Sequence, residues 1–411
     1  MKETSFLAKL LDGEKVEWKR LGEVGEIYGG LTGKSKSDFD GGNAKYITYK
    51  NIFDNLVVNT DLFQSVKISN SENQHLVKFG DVLFTGSSET ADEAGMSSVV
   101  MSHFNYPVYL NSFSFGFRFR NDISITPGFS KYLFRSNFIR TEISKTASGV
   151  TRFNISKERF RKLQIPIPCP DNPKKSLEIQ AEIVRILDNF TELTAELTAE
   201  LTAELTARKK QYAYYRDQLL TFAENEVEWK PLGEVVAIKT GQSVNKEMIS
   251  ANPGEYPVIN SGREPLGFID EWNTDNNPIG ITTRGAGVGS ITWCEGKYYR
   301  GNLNYSCTIK NSKNLSVRFL FHLLNYMQPA IKSLCTYDGI PALNKANLDK
   351  LSIPIPSLTE QARIVSFLDK FDALTNSITE GLPREIELRQ QQYEYYRNLL
   401  LNFPKNEGVT K

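Results

Sequence analysis

Cysteine and histidine are scarce, at four and three among 411 residues. Cys169, Cys294, Cys307 and Cys335 form no Cys-x-x-Cys pair, and His75, His103 and His322 stand alone. A structural zinc site or a disulfide framework is therefore not expected, and a reducing cytoplasm fits. No run of 18 apolar residues occurs, which excludes a spanning helix. The first residues, Met1 to Lys9, lack an uninterrupted apolar stretch, so secretion is not expected. Neither sign of charge dominates, with 49 Lys and Arg against 48 Asp and Glu. Any nucleic-acid contact must then come from local patches.

Catalytic signatures are missing as well. Gly29-Gly30-Leu31-Thr32-Gly33-Lys34-Ser35 resembles a phosphate loop only in part. Three residues separate Gly29 from Gly33 where four are required, and no suitable apolar strand precedes them. The glycine run Arg284–Gly289 does not match a dinucleotide fingerprint. Pro170-Asp171 is followed by Glu178-Ile179-Gln180, where a metal-dependent nuclease would need Glu-x-Lys. No Asn/Asp-Pro-Pro-Tyr/Phe tetrapeptide, the base-holding element of amino-methyltransferases, is present; Asn276-Asn277-Pro278-Ile279 comes nearest.

What the chain does contain is a duplication. Val16-Glu17-Trp18-Lys19-Arg20-Leu21-Gly22-Glu23-Val24 returns as Val227-Glu228-Trp229-Lys230-Pro231-Leu232-Gly233-Glu234-Val235. Leu163-Gln164-Ile165-Pro166-Ile167-Pro168 returns as Leu351-Ser352-Ile353-Pro354-Ile355-Pro356. Gln180-Ala181, Ile183-Val184, Leu187-Asp188 and Phe190 match Gln361-Ala362, Ile364-Val365, Leu368-Asp369 and Phe371. Tyr212, Tyr214, Tyr215 and Arg216 match Tyr393, Tyr395, Tyr396 and Arg397. Four matches in one order mean two copies of a unit: a globular module, then a helical segment. The last two matches share an offset of 181, so 180–222 and 361–403 have equal length, while the modules differ in length and diverge.

The stretch 180–222 contains no Gly or Pro, and Leu193, Leu197, Leu201 and Leu205 recur in a Leu-Thr-Ala-Glu array. As a helix its 43 residues would span roughly 65 Å, too long for one small domain's core. The second copy opens with Ser357-Leu358-Thr359-Glu360, a capping-box pattern, and should kink or break at Gly381-Leu382-Pro383. Within the first module, Ala44–Ile47, Asp81–Phe84 and Ser112–Phe119 read as strands; in the last, Phe113, Phe115, Phe117 and Phe119 alternate with Ser, Gly and Arg. Between Lys131 and Lys162 nine basic residues stand against Glu142 and Glu158. So one-sided a cluster in a near-neutral protein points to a phosphate-contacting face.

Together these motifs, their order and their duplication resemble the specificity (S) subunit of type I restriction-modification systems, over essentially the full chain. The Gly381-Leu382-Pro383-Arg384-Glu385-Ile386 segment and the Leu-Thr-Ala-Glu array add to the likeness. The resemblance implies an α+β fold of two target recognition modules joined by two long antiparallel helical spacers, pseudo-twofold through the duplication. The implied boundaries are 1–170 and 225–356 for the modules and 171–224 and 357–411 for the spacers. It implies no catalysis and no cofactor or metal in this chain. Its partners would be double-stranded DNA, two modification subunits carrying S-adenosylmethionine, and restriction subunits using ATP and Mg; no membrane is involved. Each module would read half of a bipartite, asymmetric site. A coiled-coil adaptor without a DNA role is the alternative, disfavoured because the helical stretches are a minor part of the chain.

Loops with basic or polar residues beside glycines are the expected reading elements: Lys34, Lys36, Arg152 and Asn154 in the first module, and Arg284, Tyr337 and Lys345 in the second. For each of these, an ordinary solvated loop residue is the alternative. Tyr212, Tyr214, Tyr215, Arg216, Tyr393, Tyr395, Tyr396 and Arg397 are the expected docking residues for partner subunits. With the helices antiparallel, each set should lie beside the first turns of the opposite helix; helix-end packing is the alternative role.

Overall fold

In the computed structural model the described residues are 6–262, 264–376 and 381–405. The chain forms two compact units, one holding residues up to Ala199 together with the chain from Glu387 onward, the other Glu200–Ile386.

In the first unit the repeated opening motif and the proline motif pair with each other. Val16–Arg20 runs antiparallel to Gln164–Pro168, with Trp18 opposite Pro166. Proline cannot donate to a ladder, and a two-stranded sheet is all edge, so this pairing accommodates Pro166 and Pro168. The main sheet has the order Gly25–Gly29, Ser114–Phe119, Val82–Thr85, Ser97–Val99, all antiparallel. Its core side carries Phe84, Phe115 and Phe117, packed with Phe129, Phe134 and Phe160. The aromatic alternation of the sequence is real but shorter than expected: pairing stops at Ser114, opposite Thr85, and leaves Phe113 outside the ladder, 63% exposed. Gly116 is glycine because the Tyr28 ring lies where a Cβ would go. A smaller sheet, Gln64–Val66, Ala44–Ile47 and Val108–Leu110, forms a side lobe.

The second unit repeats this topology in different residues. Glu228–Pro231 pairs antiparallel with Ser352–Ile355, Trp229 opposite Pro354. Its main sheet runs Val236–Thr240, Asn304–Ile309, Ile279–Thr282, Ile291–Trp293. First, last, second, third is the strand order in both units, so the divergent modules keep one frame.

Helix α1, Pro173–Leu220, begins seven residues before the repeated glutamine. Proline at a helix start loses no hydrogen bond, since the first N–H groups have no intrahelical partner. Helix α2, Leu358–Asn376, is capped by Ser357, whose hydroxyl accepts the Glu360 N–H. Helix α3, Gly381–Leu401, follows, so the second copy is broken as its Gly-Leu-Pro segment requires. Gly381 has φ +76°, and a Cβ there would meet the Ala373 and Leu374 carbonyls at 2.6 and 2.7 Å. Pro383 falls in the tolerant first turn of α3. Residues 377–380, between the two helices, lie outside the described residues.

The repeated helix motif locks each module onto its helix. Gln180 is fully buried; its Oε1 accepts the Thr126 N–H at 2.8 Å and its Nε2 donates to the Ser124 carbonyl. Gln361 does the same with the Ser316 N–H and the Asn314 carbonyl, both at 2.8 Å. Asp188 accepts from Lys131 and Tyr132, and Asp369 from Arg318 and His322. Ile183 and Leu187, like Ile364 and Leu368, fill the core between them.

Within each unit, helices run antiparallel along these contacts. In the first, Phe190 stacks on Tyr396 and the Thr191 hydroxyl meets the Tyr393 hydroxyl at 2.9 Å. In the second, Tyr212 lies against Phe371 and Tyr215 against Phe367. Tyr212, Tyr215, Tyr393 and Tyr396 thus lie beside the opposite helix, several turns in from its start and not at its first turns as expected, while Tyr214 and Tyr395 are exposed. No helix among the described residues is long and apolar enough to cross a membrane.

Candidate nucleic-acid interface

Each module carries a short hairpin laid across a strand end of its main sheet. In the first, Ala147–Ser148 pairs with Phe153–Ile155, which also pairs with Ser87–Ser88 just beyond the central strand. The Ile155 N–H donates to the Gly86 carbonyl. In the second, Cys335–Thr336 pairs with Ala342–Leu343, Arg284 bridges to Ala342, and the Leu343 N–H donates to the Thr283 carbonyl. The hairpins therefore occupy equivalent places, followed by short helices capped by Ser156 and Asn344.

The first hairpin's tip is Gly149-Val150-Thr151-Arg152. A Cβ on Gly149 would sit 1.9 Å from the Arg152 carbonyl, so only glycine closes this turn. The Arg152 side chain is exposed; its Nε donates to the Ser87 hydroxyl at 3.0 Å and its guanidinium lies over the exposed Phe113 ring at 5.7 Å. Asn154 donates to the Arg152 carbonyl. Below the tip lies an open concavity of 460 Å³ lined by Tyr49, Phe53, Ser87, Ser88, Glu89, Glu93, Thr151 and Arg152. Aromatic faces, a guanidinium and carboxylates together suit base edges: Arg donates to guanine O6 and N7, and a carboxylate accepts from cytosine N4.

The concavity's walls are held from behind by two arginines of the basic run. Arg135 donates to the carbonyls of Ser97, Ile52 and Phe53, so its cation sits at the C-terminal end of the short helix carrying Tyr49 and Phe53. Arg140 donates to the carbonyls of Ala94 and Gly95 behind Glu93. Burial pushes both guanidinium pKa values down to about 10, which leaves them charged near neutrality. This corrects the expectation of a continuous phosphate-contacting run: Lys131, Arg135 and Arg140 face inward, and Lys145, Arg152, Lys157, Arg159, Arg161 and Lys162 face solvent.

Lys34 is a second correction. Its side chain is 4% exposed, ion-paired to Glu72 and donating to the Lys67 carbonyl. The Lys34 hydrogen bond is the main reason the Glu72 carboxyl is held down to about 2. An ammonium so engaged holds the side lobe together and is not presented to a ligand. Lys36 is exposed on the same lobe; among the described residues no hydrogen bond or ion pair joins Lys34 or Lys36 to Arg152 or Asn154.

In the second module the expected residues lie on or beside the hairpin. Arg284 is exposed where the first module has Ser87, and the Gly285 N–H donates to the Pro341 carbonyl. Tyr337 stands on the hairpin with its ring exposed and its hydroxyl donating to the Lys332 carbonyl. Lys345 opens the following short helix and pairs with Asp349 at 2.8 Å. Tyr49 and Phe53, which line the concavity, and Phe113, which lies under Arg152, were not among the expected site residues, and no local motif singles them out.

A family model described as Type I restriction modification DNA specificity domain matches residues 13–207 and again 224–388. The EcoprrI specificity subunit of Escherichia coli is 34% identical over 92% of this chain and 93% of its own length. The EcoR124I/EcoR124II specificity subunit of Escherichia coli is 42% identical over 61% of this chain and 66% of its own length. A solved chain described under complex assembly and conformational transition of the type I R-M system superposes with TM-score 0.66 at 18% identity, covering 94% of this chain and 97% of that one. The S subunit from Thermoanaerobacter tengcongensis gives 0.53 at 18% identity over 94% and 95%. These matches set aside the coiled-coil adaptor. With its duplicated specificity domain, the chain belongs to the family of type I restriction-modification specificity subunits, non-catalytic proteins that recognise DNA sequence.

Proposed function

We propose that each module reads one half of a bipartite, asymmetric DNA site in the cytoplasm through its strand-end hairpin, as part of a complex with modification and restriction subunits. One observation carries this reading: equivalent hairpins on one topology present different chemistry, Arg152 with Glu89 and Glu93 in the first module and Arg284 with Tyr337 in the second. Residues 1–170 and 225–356 serve as target recognition domains, and 171–224 and 357–411 as spacers. Two modification subunits bring S-adenosylmethionine and methylate adenine; restriction subunits bring ATP and Mg chemistry.

Tyr214 and Tyr395, at equivalent places near the helix ends, are exposed and are the best docking candidates. Tyr212, Tyr215 and Tyr393 turn towards the neighbouring helix, Tyr396 and Arg216 are partly covered, and the Arg397 guanidinium lies over Tyr393. The Leu-Thr-Ala-Glu array sets the gap between half-sites. One tetrapeptide adds about 6 Å and about 40° of turn, against about 3.4 Å and roughly 35° per base pair. Deleting Thr198–Leu201 should shorten the preferred gap by about one to two base pairs without changing the bases read. Methylation mapping of that variant with its modification subunit tests this; an unchanged gap with retained activity contradicts it.

A further inference from the structure

Both hairpin tips expose an aliphatic side chain. Val150 is 92% exposed and Ile340 is 62% exposed. Each stands next to a glycine with positive φ, Gly149 at +149° and Gly339 at +95°. Neither belongs to a buried cluster, and the two tips differ in sequence and length, Gly149–Arg152 against Tyr337–Pro341. Scattered apolar residues on a surface need no explanation. A β-branched aliphatic that directly follows a positive-φ glycine in the tip of each of two equivalent hairpins does, because exposure to water leaves its apolar surface unburied.

A two-stranded β-ribbon fits the major groove, where thymine alone among the four unmodified bases presents a methyl group, on C5. We propose that Val150 and Ile340 are specificity-determining residues, each packing on the C5-methyl of a thymine in the half-site its module reads; this rests on the DNA-reading role of the hairpins. Arg152 and Arg284 supply charge-assisted contacts beside them, while the aliphatic tips supply discrimination that salt does not screen. Burying one methyl corresponds to about fourfold in affinity.

The test uses the full complex with its modification subunits and a duplex carrying its mapped target site. Each thymine is replaced singly by deoxyuridine, which lacks only the methyl. The expected result is one thymine in each half whose replacement weakens binding about fourfold. Val150→Ser should abolish that penalty in the first module's half alone, Ile340→Ser in the other alone, and Val150→Ile should retain it. Equal binding of all uracil duplexes by the unaltered protein, or a penalty that survives both serine variants, overturns the proposal. Failure to prefer the target over a scrambled duplex overturns the DNA-reading role itself, and is distinguished from the first outcome by that control.

Discussion

The two modules differ in length and match little outside the repeated motifs, yet each closes its first strand against its last proline-containing strand and orders its main sheet alike. Each hands its helix over through a buried glutamine. What differs is the hairpin: in the first unit a four-residue tip beside an aromatic and acidic concavity, in the second a five-residue tip laced to a glycine-rich loop. The strand-pairing motifs and the helix motif with its buried glutamine recur, while the sheet cores are built of different residues and the residues that face outward at the strand ends do not recur. That division is what a reader of two different half-sites requires, since the frame must present both hairpins alike while the bases are chosen by the tips.

The largest expected contrast lies within one strand run. Phe115→Ala, at a buried site, should lower unfolding free energy by about 3–5 kcal/mol. Phe113→Ala, two residues away and exposed, should change it by less than about 0.5 kcal/mol while weakening target binding. Denaturant unfolding with parallel binding assays checks both, and equal destabilisation would erase the distinction between frame and tip.

The next contrast should vanish. Gln180→Leu and Gln361→Leu each strip a buried N–H and carbonyl of their partners, so each should cost about 1–3 kcal/mol in its own unit. Thermal unfolding of the two variants checks this; a loss confined to one copy would show that the repeated glutamines are not equivalent.

The smallest contrast is acid sensitivity. Burial pushes the His322 pKa below the ordinary histidine value, opposed by its hydrogen bond to Asp369, while Arg318 and Asp372 also face it. The unfolded chain therefore takes the proton first. Stability from neutral His322 is present above about pH 6.5 and is lost as pH falls towards the depressed folded value. The first unit uses Lys131 and Tyr132 at this place, and Tyr132 is pushed up, mainly by burial. His322→Asn should flatten stability against pH between 7 and 5; an unchanged slope would assign the sensitivity elsewhere.

Much of the frame was legible because it was written twice. Repetition exposed the strand pairing motifs, the Gln180 and Gln361 locks and the tyrosines beside the opposite helix, and the Ser357–Glu360 cap and the break before Pro383 followed from local rules. The interface was legible only where charge stood beside glycine, as at Arg152 and Arg284. Arg135 and Arg140 read as free cations because their carbonyl partners lie 38 to 83 positions away. Lys34 read the same way because Glu72 reaches it only across the side lobe. Phe113 belonged to an alternating pattern that the ladder takes up only from Ser114 onward.

Methylation mapping of Arg152→Ala and Arg284→Ala, each in complex with modification subunits, bears most directly on separate reading by equivalent hairpins. Each variant should relax one position in one half of the site, at a cost of about 1–3 kcal/mol, and leave the other half as it was. Unchanged target choice in both variants, or loss in both halves from either one, would contradict it.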